Sequence, residues 1–219
     1  MLITTSSYSQ INKYDFGVEG GIGLAWLYGE DHFKDVYNAR MGFSGGMFFQ
    51  FNCKKLWSVR TGVFVDRKGS AFKILATDNV GNDIGEIDGK ENFDYLSVPV
   101  LFRLSGGKKL KHFINAGPYI GFLLKQSLQY DKFLNYPKFV DDNTDSYKKT
   151  EVGISFGGGI AYKCTQQFSI TLEVRNNLGL TNTSKETIYN DATIKTEALN
   201  FLVGLNFHFG QREVVTTTK

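Results

Sequence analysis

Glu19, Arg60, Asp66, Arg103, Glu173 and Arg175 are the charged residues whose placement invites a chemical reading, because each interrupts a segment that otherwise alternates with apolar residues. Carboxylates held close together can divide acid and base roles, and a lining of mixed sign can select ions or pass protons. Glu19 and Glu173 have arginine neighbours and no evident cleft. The expectation is therefore a structural network that neutralises a narrow interior, as packed and mutually paired charges require.

Other chemistry-bearing residues give weaker patterns. Cys53 and Cys164 fall in short turns on opposite sides of the expected ring, too far apart for the Cα separation of about 7 Å that a disulfide tolerates. Two free thiols are expected. His32, His112 and His208 show no ligand spacing, so no metal site is expected. Gly20-Gly-Ile-Gly and Gly157-Gly-Gly lack the strand-to-helix context of a phosphate loop. The segment Leu75–Asn92 carries Asp78, Asp83, Glu86, Asp88 and Glu91, but fits no EF-hand pattern and reads as a solvated loop. No Ser/His/Asp set is expected near either rim.

The elements that must position these residues all show period-two alternation, the mark of strands with two unlike faces. Eight such segments can be read: Phe16–Trp26, Ala39–Asn52, one through Trp57, Val59, Val63 and Val65, Phe93–Ser105, His112–Ser127, one from Val152 to Lys163, Phe168–Arg175, and Ala198–Phe209. Short connections (Cys53–Leu56, Gly106–Lys111, Cys164–Gln167) alternate with long ones (Leu27–Asn38, Leu75–Asn92, Gln129–Lys148, Thr181–Glu197). In an up-and-down barrel this puts the short turns at one end and the long loops at the other, the asymmetry of outer-membrane barrels. The expected fold is all-β, an eight-stranded antiparallel up-and-down transmembrane β-barrel.

Orientation follows from the less apolar face, which is rich in Gly, Ser and Ala. An eight-stranded barrel has an interior just wide enough for side chains, whereas glycine on a solvated outer face would only weaken the strand. Bulky side chains should therefore meet lipid, with Phe43, Val100, Ile154 and Phe201 pointing outward. Trp26, Trp57, Tyr95, Tyr162 and Phe209 lie near strand ends, where aromatic rings favour the membrane interface.

Composition agrees. The chain of 219 residues is 42% hydrophobic, carries a formal net charge of +3 and has only three prolines. Its cations are scattered, unlike the basic stripe of a nucleic-acid binder. Met1–Gln10 reads either as the remnant of a signal peptide, with Ser7-Tyr8-Ser9 as small–x–small, or as a disordered terminus. Residues 11–210 form one barrel domain, and 211–219 a polar tail.

The segments Tyr95-Leu-Ser-Val-Pro-Val-Leu-Phe-Arg103, Asn115-Ala-Gly-Pro-Tyr-Ile-Gly121 and RNNLGLTN from Arg175 to Asn182 resemble the PorT-like outer-membrane β-barrel family, over about Phe16 to Phe209. The resemblance implies a Gram-negative outer membrane and a link to protein export, and it brings no catalytic residues. The polar tail after Phe209 departs from the usual aromatic terminus of such barrels. The expected function is a non-enzymatic interaction protein acting through its long loops, linked to secretion or surface attachment. The alternatives are a narrow passive channel, a membrane-embedded enzyme and a soluble lipocalin-like carrier. Expected partners are membrane lipid and another outer-membrane or secreted protein, with no nucleic acid and no cofactor. The barrel is expected to be monomeric.

Overall fold

The computed structural model of the protein describes residues 11–29, 37–77, 80–133, 137–185 and 193–212. Among the described residues there are ten strands: β1 (Ile11–Gly29), β2 (Tyr37–Asn38), β3 (Arg40–Asn52), β4 (Trp57–Thr77), β5 (Asp83–Gly107), β6 (Leu110–Tyr130), β7 (Phe139–Asp142), β8 (Thr150–Lys163), β9 (Phe168–Gly179) and β10 (Ile194–Arg212). β1, β3, β4, β5, β6, β8, β9 and β10 each pair antiparallel with their neighbours in the chain, and β10 returns to β1, closing the ring. Closure removes every edge along the ring, so its backbone donors and acceptors are satisfied without water, as a bilayer demands.

Side chains alternate as the sequence requires. From Phe168 to Arg175, exposed and buried residues follow one another without a slip. Phe43, Val100, Ile154 and Phe201 all face outward, which overturns the reading of a soluble carrier with an apolar cavity. On β10 the outward row Leu199, Phe201, Val203, Leu205, Phe207 and Phe209 covers ten residue steps, about 33 Å along the strand. At a tilt of about 40° that is an apolar band about 25 Å tall, the height of an outer-membrane barrel's lipid belt.

The inner face is less empty than its glycines suggest. Phe48, Phe64, Phe113, Tyr95 and Tyr119 all point inward. Several cover a glycine on the neighbouring strand: a Cβ at Gly17 would lie 2.5 Å from the Phe48 ring, and one at Gly153 2.5 Å from the Tyr119 ring. Small residues on one strand make room for rings on the next.

The segment Leu75–Asn92 is not the solvated loop expected. β4 and β5 stay paired from Trp57↔Leu104 up to Thr77↔Asp83, so the hairpin continues well past the apolar band. Cross-strand pairs such as Ile74 with Ile87, and the Lys73–Glu86 ion pair at 2.6 Å, outweigh the low strand propensity of its Asp and Gly residues. Gly81, at the turn, takes a φ of 92°, a conformation open to glycine. β6 lengthens alongside, and β2 and β7 add short strands to β4 and β6. His32, Asp78 and the expected signal remnant lie outside the described residues, as do residues 213–219 of the expected tail, whose first two residues, Gln211 and Arg212, instead belong to β10.

Candidate functional site

The lumen is built in polar layers. Nearest the short turns, Asp15 on β1 receives the Gln50 amide at 3.0 Å and contacts His208 Nδ1 at 2.7 Å, while His208 Nε2 lies 2.9 Å from Ser169 Oγ. A Ser–His–Asp string therefore stands at one rim, contrary to the expectation that there was none. It lacks what acyl transfer needs. Ser169 is buried, its Oγ already accepts the Asn206 amide at 2.9 Å, and its strand is paired on both sides by β8 and β10, so no backbone N–H is turned toward an oxyanion. Incubation with a fluorophosphonate probe should leave Ser169 unlabelled, as read by intact-protein mass; stoichiometric labelling, lost in Ser169→Ala, would make this rim a hydrolase centre.

The next layer gathers five of the six charges named from the sequence. Arg60 Nη1 donates to Glu19 at 2.9 Å and Arg103 Nη2 to Glu173 at 2.7 Å. Arg175 donates to both carboxylates, through Nε to Glu173 at 2.6 Å and through Nη2 to Glu19. All five are at least nine-tenths buried. Arg60 and Arg103 stack on Phe48 and Phe113 at 3.7 and 3.8 Å from the ring centroids, so each guanidinium is held by carboxylates at its edge and a ring on its face.

Asp66 does not join this network. It sits one layer higher, beside a cavity of about 10 Å³ that Arg175 also lines, and its Oδ1 has no hydrogen-bond donor. Three arginines meet two glutamates in the layer below, and Asp66 makes no contact with them.

Above it lies a cluster absent from the sequence reading. Lys68 Nζ donates to Glu151 and, at 2.9 Å, to the Tyr119 hydroxyl, which donates in turn to Glu151 at 2.7 Å; the Thr196 hydroxyl also donates to Glu151. The signal was available, since Lys68 has the same strand parity as Asp66. Higher still, Leu27, Phe93, Tyr95 and Leu123 form an apolar plug with Tyr147 and Ile194. Tyr147 meets Phe93 edge-on at 4.9 Å and donates to Glu91 at 2.5 Å. Glu91, expected in a solvated loop, is 5% exposed at the lumen mouth. Tyr95 corrects another expectation: it is 1% exposed inside the plug, not at the membrane interface. It shares parity with Ser97 and Arg103, and that parity turns it inward.

The remaining aromatics stand on the outer face. Trp57, Tyr162 and Phe209 are exposed at the short-turn end, and Trp26 donates Nε1 to Glu197 at 3.0 Å at the other. Arg67 and Asp94 pair on the outer surface there at 2.6 Å, closing the apolar band with charge. Cys53 and Cys164 lie in separate turns and are not joined by a disulfide.

Beyond the band, β4, β5 and β6 continue as an amphipathic sheet. Register places Ile74, Ile87, Tyr130 and Phe139 on one face, with Lys73, Asp88 and Lys90 on the other. Asp142 at the end of β7 accepts the Thr144 hydroxyl at 2.5 Å and the Thr144 N–H at 3.1 Å. These bonds hold its carboxyl below the usual carboxylate range.

The signature of the outer membrane protein beta-barrel domain matches residues 7–185. No protein of curated function matches the chain. Among solved structures, Neisserial surface protein A is similar at 13% identity and TM-score 0.47, over 89% of this chain and 97% of that one. A major outer membrane protein of Thermus thermophilus is similar at 16% identity and TM-score 0.47, over 90% and 99%. Ail, the attachment invasion locus protein of Yersinia pestis, is similar at 12% identity and TM-score 0.40, over 90% and 99%. The outward apolar band, the closed ring and the matched signature carry one conclusion: the chain belongs to the outer membrane protein beta-barrel domain family and resides in a bacterial outer membrane.

Proposed function

We propose that this barrel is a non-enzymatic interaction protein that engages another outer-membrane or secreted macromolecule through the sheet projecting beyond its long-loop end. The observation that carries the reading is the contrast between that sheet and the lumen. The lumen is filled by paired charges and closed by the Leu27–Phe93–Tyr95–Leu123 plug, which supports a barrel that neither conducts nor carries a ligand. The projecting sheet keeps Ile74, Leu75 and Phe139 exposed at 43%, 65% and 57% on a rigid support, the arrangement in which scaffolds present binding surfaces. The PorT-like segments support a partner in protein export or surface attachment, and the lipid-facing rings Trp26, Trp57, Tyr162 and Phe209 support anchoring at the two interfaces.

A photo-crosslinking side chain at position 141, on the same sheet face as Phe139 and Ile87, should trap a discrete partner in native membranes. The paired change Ile74→Ser with Ile87→Ser should abolish that product while leaving heat-modifiable gel migration intact. A crosslink pattern unchanged by the paired substitution, or none at native expression, would remove the basis for this function.

A further inference from the structure

The short-turn end carries a charge pattern that the lumen and the projecting sheet do not explain. The turn between β3 and β4 reads Cys53-Lys54-Lys55-Leu56, and that between β5 and β6 is Lys108-Lys109, followed on β6 by Leu110 and Lys111. Each is a lysine pair followed by an exposed leucine. The two turns are neighbours, because β4 pairs with β5 and the Ser105 N–H donates to the Leu56 carbonyl at 2.8 Å. The end of β8 lies beside the second turn, the Lys163 N–H donating to the Lys109 carbonyl at 2.9 Å, with the Lys163 side chain on the inward parity of Gly153 and Ser155. None of the three short turns contains a carboxylate, and the third, Cys164–Gln167, carries no charge at all. Lysines are therefore densest on the two adjacent turns, while Lys13 on β1 adds a cation elsewhere on the same rim.

Apolar side chains run through the same patch. Trp57, Leu110 and Tyr162 are 52%, 44% and 46% exposed and have the outward parity of the lipid-facing rows above them. Lys109 Nζ lies 5.3 Å from the centroid of the Tyr162 ring. A patch for a soluble acidic protein would be set off from the lipid belt. This one is continuous with it: rings and leucines at headgroup depth, with ammonium groups on flexible stems beside them.

We propose that the lysine patch on these two adjacent turns is a binding site for anionic phospholipid headgroups of the leaflet at the short-turn end, which in outer-membrane barrels is the periplasmic leaflet. The lysines attract the phosphate charge, while Trp57, Leu110 and Tyr162 pack against the upper acyl chain. The site is independent of the external partner, since it lies at the opposite end of the barrel.

Trp57 reports on the patch directly. In the variant Trp26→Phe it is the only tryptophan, so quenching by acyl-brominated lipid measures which headgroups surround it. Brominated phosphatidylglycerol in phosphatidylcholine vesicles should be enriched around Trp57 over brominated phosphatidylcholine by about fivefold, what one lysine contributes at a membrane surface. The preference should fall as salt shortens the screening length from about 8 Å to 3 Å. It should disappear when Lys54, Lys55, Lys108 and Lys109 are all replaced by glutamine. If that variant fails to fold, as judged by heat-modifiable migration, the salt dependence in Trp26→Phe alone decides. Equal quenching by both lipids, or a preference indifferent to salt, overturns the proposal. Binding of soluble polyglutamate without any phosphatidylglycerol preference would also overturn it, in favour of an acidic protein.

Discussion

Replacing Arg175 with methionine is expected to lower the unfolding free energy of the barrel by about 3–5 kcal/mol, the usual penalty for breaking a buried ion pair from one side. Methionine fills much of the space, so the loss is electrostatic rather than a cavity. Among the described residues, Arg175 is the only arginine that donates to both Glu19 and Glu173. Without it Glu19 keeps Arg60 at 2.9 Å, and Glu173 keeps Arg103 at 2.7 Å with Arg60 more distant at 3.8 Å. The carboxylate atoms that faced Arg175 would remain in a lumen with little water to solvate them. Adding Glu19→Gln should recover part of the loss, because the two changes remove charges of opposite sign from one network. Urea titration of the reconstituted barrel, followed by heat-modifiable migration, measures both. A penalty below about 1 kcal/mol for Arg175→Met would show that the layer is incidental to stability, and the selectivity or proton-path reading of these charges would then need to be reopened.

Val203→Arg addresses the opposite face. Val203 is 55% exposed near the middle of the outward row of β10. On a soluble protein an arginine there would be harmless or favourable. At the bilayer midplane it should cost about 2–4 kcal/mol, whereas Phe209→Arg at the end of the same row should cost about 0–1 kcal/mol. The gradient between the two, measured by urea titration in vesicles, depends on depth and so tests the position of the lipid band. Equal costs at both positions would contradict an apolar belt of about 25 Å centred near Val203.

Much of this architecture was legible in the chain. Phe168 to Arg175 alternates so regularly that the faces of β9 follow from spelling alone, and the turns Cys53–Leu56 and Cys164–Gln167 lie where they were read, while the connection read as Gly106–Lys111 tightens to Lys108-Lys109 because β5 and β6 pair further. The lumen charges were legible as inward residues, because a charged side chain at a lipid-facing position would be too costly. Tyr95 was legible too, through its parity with Ser97 and Arg103, but proximity to a strand end suggested a belt position instead. The extent of β4 and β5 was not. Asp and Gly disfavour strands locally, and only the hairpin already zipped beneath them carries the pairing on to Thr77↔Asp83.

By itself, then, the sequence determined the number of ring strands, their order and which residues face lipid, because those depend on a two-residue period and on turn lengths, both local properties. Tertiary structure alone decided which inward residues meet. Glu19 finds Arg175 across 156 positions of chain, Asp66 is held a layer above the arginines, Lys68 and Glu151 form a second cluster, and Ser169, His208 and Asp15 line up at the rim. Those meetings depend on the stagger between strands as the sheet closes, and stagger is a property of the whole ring that no single segment encodes.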